Sequence, residues 1–203
     1  MIPGYRPTLN VYTPRYSKCD NFGSSIINQK HFALFASWID RKVKNSMYIK
    51  DAPYEFNRIL RASWNGYDAA SFHDKCNNKG ANIVVIKIKN SNQIVGGYNP
   101  LDWNGVGWKN TADSFIFSFD NYKNSKTGKF GKVINTQRAV QSDPKKGPIF
   151  GSELSVNNNR GFSYVRNFYP DIDIPQQFII ENYEVFQIKK KNMKHSPVQC
   201  CLV

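Results

Sequence analysis

Apolar positions along the chain change period twice. Phe32, Phe35, Ala36 and Ile39 recur at intervals of three and four, one face of a helix, and Asn28 stands before them as an N-cap. That spacing predicts a helix over Gln29 to Trp38. Pro53 opens a run from Tyr54 to Ser63 that reads as a strand, and Asn65-Gly66 reads as a turn. Asp68 then caps a second helix through about Lys75, with Ala69, Phe72 and Cys76 on one side. After Gly80 the period shortens. The β-branched run Ile83 to Ile88 predicts a buried strand, Asn90-Ser91-Asn92 turns the chain, and Gln93 to Tyr98 returns it as a hairpin. Ser114 to Phe119 is another strand, with Phe115, Phe117 and Phe119 on one face. Gly131 to Ile134 and Gln137 to Val140 are weaker strands. In Phe178 to Ile188, Tyr183, Val185 and Gln187 alternate with Glu184, Phe186 and Ile188. The Asn- and Lys-rich stretches Asn121 to Lys132 and Asn157 to Arg160 read as solvated loops.

Early helices followed by many short strands predict an α+β fold: a β-sandwich of two antiparallel sheets flanked by a few helices. Residues 1–23 read as an extended arm, because Pro3, Pro7 and Pro14 interleave with Tyr5, Tyr12 and Tyr16 without a period. Residues 24–190 form the domain, and residues 191–203 a basic tail. The hydrophobic fraction of 40%, with 14 Phe and 11 Tyr, is enough for a core. No run approaches the roughly 18 apolar residues of a membrane span. Met1 to Arg6 lacks the apolar stretch of a secretory signal, and no Asn lies in a glycosylation sequon, so the expected location is cytoplasmic.

Four cysteines, Cys19, Cys76, Cys200 and Cys201, form no CxxC pair, and His31, His73 and His195 are scattered. Reduced thiols are expected, with neither metal nor cofactor. Lys and Arg number 28 against 15 acids, a net charge of +13. Such a balance favours anionic partners, or serves solubility alone. The basic residues are spread along the chain, except for Lys189-Lys190-Lys191 with Lys194, and no specific nucleic-acid binding is expected. Phe115, Phe117 and Phe119 share one strand face, which reads as core and not as a base-stacking platform.

No nucleophile elbow, phosphate loop or HExxH helix occurs, so no catalytic residue is assigned. His73 and Cys76 share a helix face, which makes Cys76 a candidate redox thiol; the ordinary reading is a half-buried thiol on a surface helix. Gly96-Gly97 inside a strand pattern marks close backbone approach or a bulge, and these glycines are expected to permit turns that a Cβ would block. Gly147-Pro148-Ile149-Phe150-Gly151 is a backbone turn, and Gly147→Val is expected to lower stability by more than about 1 kcal/mol through a strained φ.

The run Phe56 to Tyr67, then Phe72-His73-Asp74-Lys75-Cys76, resembles the start of a TLDc domain. The resemblance continues through Ile83 to Lys89, Ile94 to Tyr98, Trp103, Trp108, Ser114 to Phe119, the Gly147 to Gly151 turn and Glu184 to Ile188. It covers roughly Ser24 to Lys190 and is closest in style to the TLDc sets of fungi and amoebae. It implies a helix-flanked β-sandwich, resistance to oxidative stress and binding to the vacuolar proton-pumping ATPase, without accepted catalytic residues. Trp103, Trp108 and Glu153 are the candidate interaction residues. The family turn is usually followed by a Gly-rich, Asp-containing stretch; Ser152-Glu153-Leu154 stands here, so the acidic role moves to Glu153. Many relatives follow a BTB domain and act as substrate-recruiting adaptors. No BTB segment is seen, so the chain is expected to be a monomeric stand-alone copy or a truncated relative. Cys200-Cys201-Leu202-Val203 fits a prenylation box loosely, with Cys200 as lipid acceptor and the nearby lysines favouring weak membrane association, at the vacuole or another membrane. A frayed tail is the alternative.

Overall fold

Asn28 caps the first helix, α1 (Gln29–Ile39), as its spacing predicts. The Lys30 N–H donates to Asn28 Oδ1 at 3.0 Å, and the Asn28 N–H donates to His31 Nδ1 at 3.4 Å. Histidine thus fills the place that glutamate or glutamine takes in an ordinary capping box. The computed structural model describes residues 23–42, 47–49 and 52–191. Two shorter helices follow α1 among them, α2 (Ala62–Asn65) and α3 (Ala69–Cys76), the latter capped by Asp68. The strands are β1 (Tyr54–Arg61), β2 (Asn82–Ile88), β3 (Ile94–Asn99), β4 (Gly107–Lys109), β5 (Phe115–Phe119), β6 (Gly128–Lys132), β7 (Val140–Ser142), β8 (Ile149–Phe150), β9 (Leu154–Asn157), β10 (Arg160–Phe162) and β11 (Gln177–Lys190).

These strands pair antiparallel throughout and make two sheets that share β11. One sheet runs β1-β11-β2-β3-β5-β6, the other β4-β7-β8-β9-β10-β11. The start of β11 pairs with β10; from Ile180 onward it pairs with β2, and from Glu184 with β1. The register shifts between Ile180 and Asn182, where the strand passes from one sheet to the other. A bulge there supplies the bend that a corner strand needs.

Between the sheets, Val84, Ile86, Val95, Ile116, Tyr183 and Val185 pack with Val140, Phe150, Leu154 and Val156. Helix α3 adds Phe72 and Cys76 to this core. On the outer face of the first sheet, Phe32, Phe35 and Trp38 of α1 cover Phe115, Phe117, Phe119 and Phe186. The Phe35 and Phe117 ring centroids are 4.7 Å apart. The layers are therefore helix, sheet, sheet: an α+β β-sandwich. Strands β2 and β11 are apolar on both faces because both faces are covered.

Several predicted segments differ: the strand read to Ser63 ends at Arg61 and gives way to α2, and Asn157 and Arg160, read as loop, end β9 and open β10. Residues 128–130, read as loop, join Gly131 and Lys132 of the predicted weak strand in edge strand β6, which ends at Lys132 and not Ile134: it pairs with β5, and Phe130 stacks on Trp38 at 4.9 Å. Tertiary packing outweighs the poor strand propensity of Gly and Lys. Thr136–Arg138 is a 3₁₀ turn, and the strand placed at Gln137 begins at Val140. The glycines of β3 make neither the expected turn nor a bulge, since β3 pairs in unbroken register with β2 and β5, and they serve close approach. A Cβ on Gly96 would meet the Val84 carbonyl and the Phe117 ring, and one on Gly97 the Phe150 ring at 2.8 Å. Gly147 is not in the left-handed region, so the strain expected there has another source: Val156 Cγ1 would lie 3.2 Å from its Cβ. The arm up to Phe22, Cys19, Cys200, Cys201 and Lys194 lie outside the described residues. Among the described residues no helix is long and apolar enough to cross a membrane.

Candidate functional site

The turn between β8 and β9 sets up one exposed face of the second sheet. Gly151 has φ +55, where a side chain would collide with Phe168 Cβ at 2.9 Å and with the Glu153 carboxylate. The turn leaves Glu153 2% exposed, with its carboxylate beneath the long connection 163–176. Oε2 accepts from the Ser152 N–H at 2.9 Å; Oε1 accepts from Arg166 N–H at 2.8 Å and Phe168 N–H at 3.1 Å. Asn167, between the last two donors, takes φ +63, a value asparagine tolerates better than most residues. The Tyr164 N–H donates to the Ser152 carbonyl at 2.8 Å, and the Phe168 carbonyl accepts from Ile134 at 2.8 Å. An ionised carboxylate inside a protein is costly unless its oxygens are filled, and backbone donors fill these. The result is a connection fixed from below.

Above that anchor the side chains are exposed. Tyr164 is 49% and Val165 55% exposed, and Ile134 at 60% and Trp108 at 40% adjoin the same connection at Phe168. Trp108 and Phe168 meet ring to ring at 6.1 Å, and the Arg138 guanidinium lies 5.9 Å and 5.6 Å from their centroids. A groove of about 640 Å³ runs along Tyr164, Val165, Arg166, Asp171, Asp173 and Ile174. The Lys129 ammonium sits 2.7 Å from Asp173 at its border. Apolar, aromatic and charged groups of both signs line one surface, suited to noncovalent contact with a polypeptide.

Of the predicted residues, Trp108 stands on this face and Glu153 beneath it; the predicted Gly147 to Gly151 turn is instead strand β8 at Ile149–Phe150, led into by Gly147 and Pro148, with Gly151 opening the turn to β9. The Gly147 N–H donates to the Val156 carbonyl, and Val156 N–H to Pro148. Trp103 does not join them. It is fully buried, its indole N–H donates to Asn82 Oδ1 at 2.8 Å, and its ring meets Phe72 and Phe150. It belongs to the core and offers no contact surface. Cys76 is likewise fully buried, not half-buried, and burial pushes its thiol well above the usual range. A peroxide-sensing thiol needs the opposite on both counts. His73 does not face it as a base: its ring contacts Asn77 Oδ1 at 2.9 Å, and its Nε2 the Asp143 carbonyl at 2.9 Å. Among the described residues no three His, Cys, Asp or Glu side chains group closely enough to hold a metal ion.

The sequence does not single out Arg138 or Phe168: Arg138 falls in a segment that reads only as a weak strand, and Phe168 in no motif or periodic segment. A second group also escaped notice. Glu184 in β11 is fully buried and accepts from Arg61 Nε at 2.8 Å, from the hydroxyls of Ser24 and Ser25, and from the Ser25 N–H at 3.1 Å. Arg58 Nη1 lies 3.6 Å from the same carboxylate.

The family model of the TLDc domain matches residues 20–189 of the chain. No protein of curated function matches it.

Proposed function

The chain belongs to the TLDc domain family, and from that premise we propose that it is a non-catalytic protein-interaction module acting through the face built on Glu153. One observation carries this reading: a buried carboxylate fixes the backbone of Arg166 and Phe168 while Tyr164, Val165 and Trp108 stay exposed. Ordering these residues before contact lowers the entropy cost of binding. Tryptophan, tyrosine and arginine are also the residue types that dominate interface energetics.

The family resemblance supplies the partner in this reading. It is the vacuolar proton-pumping ATPase, met from the cytoplasm at a membrane surface by residues 24–190 as a monomer, in the service of oxidative-stress resistance. The mechanism is occupation of a surface, without a bond made or broken. Cys76 has no part in it, so Cys76→Ser is expected to retain stress protection in full.

The test is capture of the vacuolar ATPase by the purified full chain at low and moderate salt, followed by an assay of pump activity. Trp108→Ala is expected to weaken capture by about tenfold or more, as loss of an interface anchor does. Equal capture by the folded variant would remove this face from the reading. Failure of the wild-type chain to bind at all would remove the pump as partner and favour an adaptor that joins a separate BTB chain.

A further inference from the structure

Arg58 and Arg61 lie on β1 on either side of its register shift, and both reach Glu184. Among the described residues two guanidiniums share one carboxylate, so a positive charge is left over within the cluster. Arg58 Nη1 has no hydrogen-bond partner among the described residues; its contact with Glu184 at 3.6 Å is an ion pair without a hydrogen bond. Arg61 Nη2 donates to the Gly23 carbonyl at 2.7 Å. Two nearby acids are engaged elsewhere. Asp68 accepts from the N–H and hydroxyl of Ser71, and Glu181 lies 3.9 Å from Lys87.

Over this pair sits Trp64. The guanidinium carbons of Arg61 and Arg58 are 4.2 Å and 4.8 Å from its ring centroid. Yet Trp64 is 71% exposed and belongs to neither core cluster. Its backbone is not a loose loop tip. The Gly66 N–H donates to the Ala62 carbonyl at 2.9 Å, Ser63 N–H to Asn182 Oδ1 at 3.1 Å, and Arg61 N–H to Asn65 Oδ1 at 2.9 Å. A buried carboxylate thus orders two arginines, the arginines order an indole, and the indole faces water.

We infer that Trp64, with Arg58 and Arg61 behind it, is a second docking point that takes an acidic segment of a partner protein. Arg58 Nη1 is itself buried, and the Arg58 and Arg61 side chains keep 18% and 12% of their surface exposed; a carboxylate of that segment meets the surplus charge at this margin, and an apolar side chain beside it covers the indole. Three things point to an acidic occupant. The cluster holds an uncompensated positive charge, the whole chain carries +13, and opposite charge both steers and registers such encounters. A preordered, exposed tryptophan is the residue type that most often anchors a contact. This point lies on the first sheet and does not depend on the Glu153 face.

The experiment uses the full chain and a fluorescein-labelled dodecapeptide alternating glutamate and leucine, with a lysine-leucine peptide as counterpart, followed by anisotropy at low salt. The acidic peptide binds and the basic one does not. Trp64→Ala, folded by its melting temperature, raises Kd about thirtyfold, Trp64→Phe retains most of the affinity, and Trp108→Ala changes nothing. The last variant separates this point from the face proposed above. Equal binding by Trp64→Ala, equal binding of the two peptides, or no binding of the acidic peptide to the folded wild type overturns the inference. So does Trp64-dependent capture by vesicles containing roughly one-third phosphatidylserine without peptide binding, which would assign the point to a lipid surface.

Discussion

Glu153 and Glu184 are both buried, one in the turn before β9 and the other within β11, yet different kinds of partner satisfy them. Glu153 accepts from three backbone N–H groups, two of them in the connection 163–176. Glu184 accepts from side chains on β1 and from residues 24–25, up to 160 positions away in sequence. The first arrangement shapes one connection and tolerates changes in the side chains that supply its donors. The second ties three distant segments together and depends on the identity of each. Burial of a carboxylate therefore does local work in one place and global work in the other.

Removing each group should separate the two roles. Glu184→Ala leaves Arg58 and Arg61 without their counter-charge, and loss of one partner from a buried ion pair costs about 3–5 kcal/mol. Urea unfolding should show this as a lower midpoint of the whole domain. His31 sharpens the contrast, because it is a buried ionisable group that stays neutral. Burial lowers its pKa from 6.5 to about 4. Its stabilising contribution is complete above the unfolded value of 6.5. As pH falls from there to about 4 the unfolded chain takes up the proton first, so up to about 3 kcal/mol is lost. His31→Gln, which retains a capping-box residue, should flatten that window when unfolding is measured against pH. Glu153→Gln should cost less, about 2 kcal/mol, because an amide accepts fewer of the three donors. Its effect should be local: hydrogen exchange rises at the Arg166 and Phe168 amides while β2 stays protected. Smallest is Gly147→Ala, about 1 kcal/mol by thermal melting, since Val156 must yield only a few tenths of an ångström. An equal response of β2 and the 163–176 connection to Glu153→Gln would erase the distinction.

The strands with strong period were legible: Ile83 to Ile88, its return to Tyr98, the Phe115-Phe117-Phe119 face and the long final strand. Strands β7 to β10 span two to four residues each, too few for any period to register. Trp108 and Glu153 were picked out through the family resemblance, but the spacing that marked them could not distinguish a surface indole from the buried one at Trp103. Glu184 looked like the polar member of an alternating strand. Its burial depends on Arg61 and Ser24, which a local pattern cannot connect to it. Trp64 was read only as part of a run leading into a turn, because the cations under its ring come from the neighbouring strand geometry.

The strand shared by both sheets is also among the last to be made. During synthesis at about 5–20 residues per second, β2, β3, β5 and β6 can meet as each emerges, since they pair in chain order. Strand β1 cannot, because its pairing partner is β11. Nor can β10 find its second neighbour or Arg61 its carboxylate until residues 177–190 have left the ribosome. Until then the nascent chain carries two partial sheets and a pair of arginines awaiting their counter-charge, and it closes into one body when Glu184 arrives to meet residues made more than a hundred positions earlier.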